Sequence, residues 1–99
     1  MEIVKTISAD TATLAVAGKL SAATADEFGA AVDIALGEAK NIVLDFKELS
    51  YLASAGLRVL LSTQKKLKAS GGTLCLLHVC EEVMEVFEIT GLNDVLDIR

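Results

Sequence analysis

The strongest constraint on the fold is a short, nearly continuous apolar run from Asn41 to Phe46. Runs of this length are typical of strands covered on both faces, so we expect this segment at the centre of a sheet. A second such run follows at Thr73 to Val79. A helix between the two runs is indicated by residues that recur on one face, namely Leu57, Leu60, Leu61, Gln64 and Leu67. Strand, helix and strand in this order predict a right-handed crossover and parallel strands.

The two ends of the chain add strands to this pattern. Residues Glu2–Ser8 and Thr11–Ala17 are rich in Val, Ile, Thr and Leu and predict an opening β-hairpin. Asp94 to Ile98 predicts a short final strand or turn. We therefore expect a single α/β domain over residues 1–99, with a mixed, mostly parallel sheet of four to five strands and about three to four helices.

Helix boundaries are indicated by polar and glycine residues. Thr24 and Glu27 match a capping box at the start of a first helix. The second helix is expected to end within Ala69-Ser70-Gly71-Gly72. Acidic residues at positions 81 and 82 favour the start of a third helix, and Gly91 is expected to end it.

Composition narrows the class of protein. The chain has 99 residues, 53% hydrophobic and 23% charged, with no proline, so we expect a folded globule. A net charge of −5 works against binding to nucleic acid or to anionic membranes. No apolar stretch reaches the ~18 residues of a spanning helix. We expect a cytoplasmic protein without membrane insertion and without direct contact to nucleic acid.

The residues that most often carry metals or catalysis are few. Cys75, Cys80 and His78 lack a fourth ligand and the usual spacing of a zinc site, so we expect buried, reduced thiols and a histidine that packs at a strand end. The stretch from Leu52 to Gly56 resembles a nucleophile elbow but has Leu where the first Gly is required. With a single histidine in the chain, we predict no enzyme, no catalytic residue, no metal and no cofactor.

One junction remains as a candidate site, the turn at Ser54, where a strand leads into the second helix. At a helix start the Ser54 side chain is expected to act as an N-cap that accepts a backbone N–H. The same position accommodates an anion, so a phosphate on Ser54 would be tolerated and would add about −1.5 to −2 charges. Arg58, one turn further on, faces either such a phosphate or solvent.

Four motifs in order resemble the STAS family of anti-sigma factor antagonists. The family's signature is Asp-Ser-Ser/Thr-Gly-Leu at a helix start, and the stretch from Leu52 to Leu57 aligns with it. The other three similarities are Gly18-Lys19-Leu20, Gly71-Gly72 and Thr90-Gly91-Leu92. The resemblance covers nearly the whole chain.

The resemblance implies a non-enzymatic partner-switching protein. In that family the serine equivalent to Ser54 is phosphorylated by a partner that is both an anti-sigma factor and a serine kinase, and a serine phosphatase reverses the reaction. The unphosphorylated antagonist binds the kinase and frees the sigma factor. Carried over to this chain, the resemblance gives these partner-binding residues: Ser21, Ala53, Ser54, Ala55, Gly56 and Arg58.

The chain departs from the family pattern at three positions. Ala53 replaces the family Asp, Ala55 replaces the second hydroxyl residue, and Ser21 replaces an Asp. The loss of the acid at position 53 removes a group that could orient the serine or assist the kinase. It keeps open an alternative, an unphosphorylated STAS scaffold subunit of a transporter or of a sensory assembly.

Overall fold

A two-residue turn joins the first two strands of the chain. In the computed structural model, which describes residues 1–99, β1 (Glu2–Ser8) pairs antiparallel with β2 (Thr11–Leu20) over seven residue pairs. Ala9 in the turn adopts a left-handed backbone conformation with a φ of 54°. The predicted opening hairpin is confirmed.

Three helices and four further strands follow the hairpin. They are α1 (Ala25–Leu36), β3 (Asn41–Asp45), β4 (Leu49–Leu52), α2 (Ser54–Ser70), β5 (Thr73–Leu77), α3 (Glu81–Thr90) and β6 (Asp97–Ile98), with a 3₁₀ turn at Leu92–Asp94. The sheet order is β1-β2-β3-β5-β6, and β4 pairs with β2. Every pairing except that of β1 with β2 is parallel. The α/β fold with a mixed, mostly parallel sheet is confirmed; it has six strands, because the short β4 was not predicted.

The core lies on one face of the sheet. Alternate residues of β2, β3 and β5 are buried there, such as Leu14, Leu44 and Leu76, together with Phe28 of α1 and Phe87 of α3. The intervening residues of β3 and β5 remain half-exposed or exposed on the other face. The prediction that β3 is covered on both faces is therefore wrong.

The buried face of α2 follows the predicted helical spacing with one change. Leu57, Leu60 and Leu67 are buried, whereas Leu61 is only half-buried. Thr63 takes its place in the interior, where its hydroxyl donates to the carbonyl of Val59 at 2.7 Å. That local bond satisfies the hydroxyl, so a polar residue is tolerated in the core.

The predicted capping box at the start of α1 does not form. Thr24 occupies the N-cap position, but its hydroxyl accepts no bond from a helix amide. It accepts the Ser21 N–H at 2.9 Å and donates to the Lys19 carbonyl at 2.8 Å. Thr24 thus holds together the loop between β2 and α1. None of the helices has both the length and the apolar character needed to cross a bilayer.

Candidate functional site

The loop that follows β2 and the start of α2 lie side by side. β4 runs parallel to the end of β2, with Leu52 opposite Leu20. The Ala53 N–H then donates to the Leu20 carbonyl at 2.9 Å. Because Ser21 follows Leu20 and Ser54 follows Ala53, the structure brings together two of the predicted partner-binding segments.

Ser54 is the first residue of α2, and its side chain is exposed. The N-cap is Ala53, whose backbone is extended with φ −101° and ψ 172°, and no side chain caps the helix. The prediction that Ser54 is the N-cap and accepts a backbone N–H is therefore wrong by one position. Its hydroxyl caps no helix amide.

Two backbone amides at the start of α2 have no acceptor within the helix. The N–H groups of Gly56 and Leu57 both donate to the Ala53 carbonyl, at 3.0 and 3.2 Å. The N–H groups of Ser54 and Ala55 belong to the first turn of the helix, where the residue that would accept the bond lies before the helix begins. Both α1 and α3 carry acidic residues in the first turn, but α2 carries none. The positive end of this helix dipole is uncompensated and favours an anion.

Gly56 allows α2 to approach the sheet closely. A Cβ at this position would lie 2.6 Å from Leu20 Cγ and 2.7 Å from Leu52 Cδ1, closer than atoms can pack. Gly56 is itself buried. Its role as a partner-binding residue stays a prediction; what the structure shows is that Gly56 packs the start of α2 against the sheet.

The remaining predicted residues differ in exposure. Ser21, Ala53 and Ala55 are half-buried, and Arg58 is exposed. Arg58 lies in a groove between α1 and α2 next to Asp33 and Lys66, which pair with each other at 3.1 Å. Arg58 takes part in none of the contacts between acidic and basic side chains of the protein. Its guanidinium is therefore unpaired one helical turn after Ser54.

A hydrogen-bonded pair of side chains that was not predicted from the sequence lies where β3 and β5 end. His78 Nδ1 is 2.9 Å from Asp45 Oδ1, and the Lys47 N–H donates to the same oxygen at 3.0 Å. The hydrogen bond with His78 is the main cause that lowers the pKa of Asp45, and the Lys47 amide adds to it. His78 is exposed, so its predicted packing role is wrong. The signal was present, because neighbouring parallel strands place their following residues at one edge.

The cysteines and the acidic residues form no metal site. No group of three or more His, Cys, Asp or Glu side chains is placed to hold an ion. Cys75 and Cys80 are free and half-buried, whereas buried thiols were predicted. Partial burial raises the pKa of the Cys75 thiol.

Comparison with known sequences identifies relatives along the whole chain. The family model described as STAS domain matches residues 2–99. The anti-sigma-B factor antagonist of Listeria monocytogenes is 33% identical over 85 residues, which cover 85% of this chain and 75% of that protein. The anti-sigma-B factor antagonist of Bacillus subtilis is 44% identical over 52 residues, 52% of this chain. That match spans 48% of the Bacillus protein, about half of its length.

Solved structures share the fold. The anti-sigma factor antagonist SpoIIAA in its unphosphorylated form superposes with a TM-score of 0.84 and 22% identity, covering 99% of this chain and 88% of that one. The phosphorylated form of the Bacillus cell fate determinant SpoIIAA gives a TM-score of 0.77 at 22% identity, with 99% and 91% covered. At this identity the likeness establishes the fold alone.

Proposed function

The chain belongs to the STAS domain family, and on that basis we propose that it is an anti-sigma factor antagonist controlled by phosphorylation of Ser54. The observation that carries the proposal is the exposed, unbonded Ser54 hydroxyl at an uncompensated helix start. Relatives named anti-sigma-B factor antagonists support the first half of the proposal. The geometry of α2 supports the second half.

The unphosphorylated protein binds its partner through the start of α2. Ala53, Ser54 and Ala55 have small side chains, so a partner surface can approach the helix backbone closely. Ser21 in the adjacent loop widens the same surface, and the unpaired Arg58 offers a cation at its margin. The partner is an anti-sigma factor that is also the serine kinase, and the protein itself catalyses nothing.

A phosphate on Ser54 ends the binding without refolding the antagonist. The free amides of Ser54 and Ala55 and the helix dipole accommodate the added charge within the protein. At the interface the same group brings about −1.5 to −2 charges and a large cost of desolvation. A serine phosphatase that removes the phosphate restores binding.

Ala53 favours a second candidate function, that of an unphosphorylated scaffold subunit of a transporter or sensory assembly. The family acid is absent at this position, so no carboxylate directly precedes the serine in the sequence. In that case the surface at α2 binds a constant partner. Phosphorylation of Ser54 would then play no part.

Calorimetric titration of the anti-sigma factor encoded nearest to this protein separates the two functions. We expect Ser54→Asp to weaken binding by about tenfold or more, because its charge mimics part of the phosphate, whereas Ser54→Ala binds like the wild type. Ser62→Asp, an exposed position two turns along α2, is the matched control and should bind normally. Thermal stability of Ser54→Asp should not fall, since an acid suits a helix start. Unchanged binding by Ser54→Asp would overturn the switch.

A further inference from the structure

The outer edge of β1 is unpaired in the sheet. β1 ends the sheet on one side, and only Ile3 among its seven residues is even half-buried. Edge strands are usually blocked by brevity, proline, a bulge or charged side chains. The charged residue at the centre of β1, Lys5, is held in an ion pair with Glu38 of its own chain. Here the pairing with β2 runs through seven residues without a register shift, and the chain has no proline. A full row of backbone donors and acceptors therefore faces solvent.

The turn between β1 and β2 determines which backbone groups point outward. Ser8 and Thr11 flank a two-residue turn, and such a hairpin is closed by a hydrogen-bonded pair. Hydrogen-bonded pairs alternate along the strand, so every second residue of β1 counted back from Ser8 bonds to β2. The N–H and C=O groups of Ile3, Lys5 and Ile7 consequently point away from the sheet.

Apolar side chains flank this free edge on both faces. On the open face Val4 is 56% exposed beside Ala15. On the helix-covered face a groove runs between β1 and α1, lined in part by Ile3, Ala31 and Ile34, and Ile34 is 60% exposed. An added strand would cover both groups of side chains.

We infer that β1 is a dimer interface, at which it pairs antiparallel with β1 of a second copy about a two-fold axis. Residues that lie opposite each other in the paired strands have side chains on the same face of the sheet, and faces alternate along each strand. The two-fold axis must therefore pass through one residue, which lies opposite its own copy. An axis at Lys5 would oppose two ammonium groups, and an axis at Ile3 would shorten the pairing. An axis at Val4 pairs the whole stretch from Met1 to Ile7. In that register Ile3 lies opposite Lys5 of the second copy, and their outward backbone groups bond to each other.

Charge complementarity argues for a second copy as the occupant. Lys5 forms an ion pair with Glu38 of its own chain. Glu27 lines the groove beside Ile3 and contacts no basic side chain within salt-bridge distance. The Val4-centred register places Lys5 of one copy opposite Ile3 of the other, within reach of that Glu27. Lys5 of β1 and Glu27 of α1 thus give this edge charges that a second copy of the chain complements.

Cross-linking tests the register. Both native cysteines are first replaced by alanine, and then Val4→Cys is compared with Thr6→Cys under mild oxidation. Val4 faces itself in a pair without hydrogen bonds, where Cβ atoms come closest, whereas Thr6 faces Glu2. We expect Val4→Cys to form a covalent dimer at least about tenfold faster than Thr6→Cys. Equal rates, or no dimer from Val4→Cys, would overturn the inference.

Sedimentation equilibrium of the unmodified chain tests the association itself. The interface is small, so we expect a weak dimer that appears between about 10 µM and 1 mM. Val4→Lys should abolish it, because two ammonium groups would meet at the axis. Ile89→Lys, at a position of α3 that is 85% exposed, should leave it unchanged. A wild-type monomer throughout, or a dimer that survives Val4→Lys, contradicts the inference. No anti-sigma factor is present, so the result is independent of the proposed function.

Discussion

Gly56 is the residue on which the geometry of the candidate site depends. It lets the start of α2 pack against Leu20 and Leu52, which are both buried in the core. That packing places Ser54 beside the loop of Ser21. A methyl group at position 56 would push the helix start away from both leucines.

Gly56→Ala should therefore destabilise the protein by about 1–3 kcal/mol, the usual cost of overpacking a core. Unfolding in urea, followed by circular dichroism, measures the change. Gly37→Ala is the control: its Cβ would meet the Ile34 carbonyl oxygen at an ordinary 3.5 Å and its φ is −80°, so we expect a change within about 0.5 kcal/mol. Equal stability of the two variants would show that α2 does not need the close approach.

The Asp45–His78 pair predicts a pH-dependent contribution to stability. Its carboxyl has a lowered pKa in the folded protein, chiefly through the bond to His78. A lowered pKa stabilises the fold above the ordinary value of 3.8, and the contribution is lost as pH falls through the folded pKa. His78 is exposed, so the contribution at neutral pH is below about 1 kcal/mol.

Asp45→Asn should thus lower the free energy of unfolding at pH 7 and have less effect at pH ~2.5, because the contribution is lost as pH falls through the lowered pKa of the Asp45 carboxyl. Chemical denaturation at the two pH values measures the difference. An equal difference in the free energy of unfolding between wild type and variant at both pH values would mean that the charge of Asp45 does not cause the stabilisation.

Two details at helix starts, the N-cap of α2 and the bonds of Thr24, could not be predicted from the sequence. The start of α2 was predicted, but the N-cap was placed at Ser54 and not at Ala53. The difference arises from the bond between the Ala53 N–H and the Leu20 carbonyl, a tertiary contact that no local pattern contains. Thr24 differed for the same reason, since its hydroxyl bonds to the preceding loop.

At the scale of elements, the end of α2 has two adjacent glycines that are required for different reasons, one for its backbone conformation and one for close packing. Gly71 has a φ of 80° and open space around it. Gly72 lies against Lys40, the residue before β3, and a Cβ at position 72 would be 2.0 Å from the Lys40 carbonyl oxygen. The sequence predicted a helix stop here, but the second constraint depends on how α2 returns to the sheet.

Gly72→Ala should accordingly destabilise the protein more than Gly71→Ala. For Gly71→Ala we expect about 1 kcal/mol, the cost of a left-handed alanine. For Gly72→Ala we expect about 3 kcal/mol or more, because the backbone around Lys40 must move. Thermal unfolding of the two variants ranks them directly, and the reverse order would contradict this packing of α2.

The strands explain why one prediction about the fold was wrong. β3 and β5 were expected to be covered on both faces because their sequences are nearly continuous in apolar residues. The open face of the sheet keeps Val43, Cys75 and Leu77 half-exposed. A sequence pattern shows which residues are apolar but not whether another element covers them. A sheet that is covered on one face and has apolar residues on its open face therefore has the same sequence pattern as a sheet covered on both faces.

At the scale of the whole molecule, one core on one face of the sheet leaves two features free for partners. The first is the start of α2, where Ser54 is exposed. The second is the edge of β1. The α/β class, the hairpin, the parallel sheet and the family followed from the sequence, because they depend on the order and spacing of elements. The groove at β1 and the Asp45–His78 pair required the strand order.

The most direct test of whether Ser54 is the switch is to measure the intact mass of the protein after incubation with ATP and the serine kinase encoded nearest to it. We predict the added mass of one phosphate on the wild type, the same addition on Ser62→Ala, and none on Ser54→Ala. Ser62 is an exposed serine of the same helix and controls for non-specific transfer. Phosphate on Ser54→Ala, or none on the wild type with every candidate kinase, would contradict the claim that Ser54 is the switch.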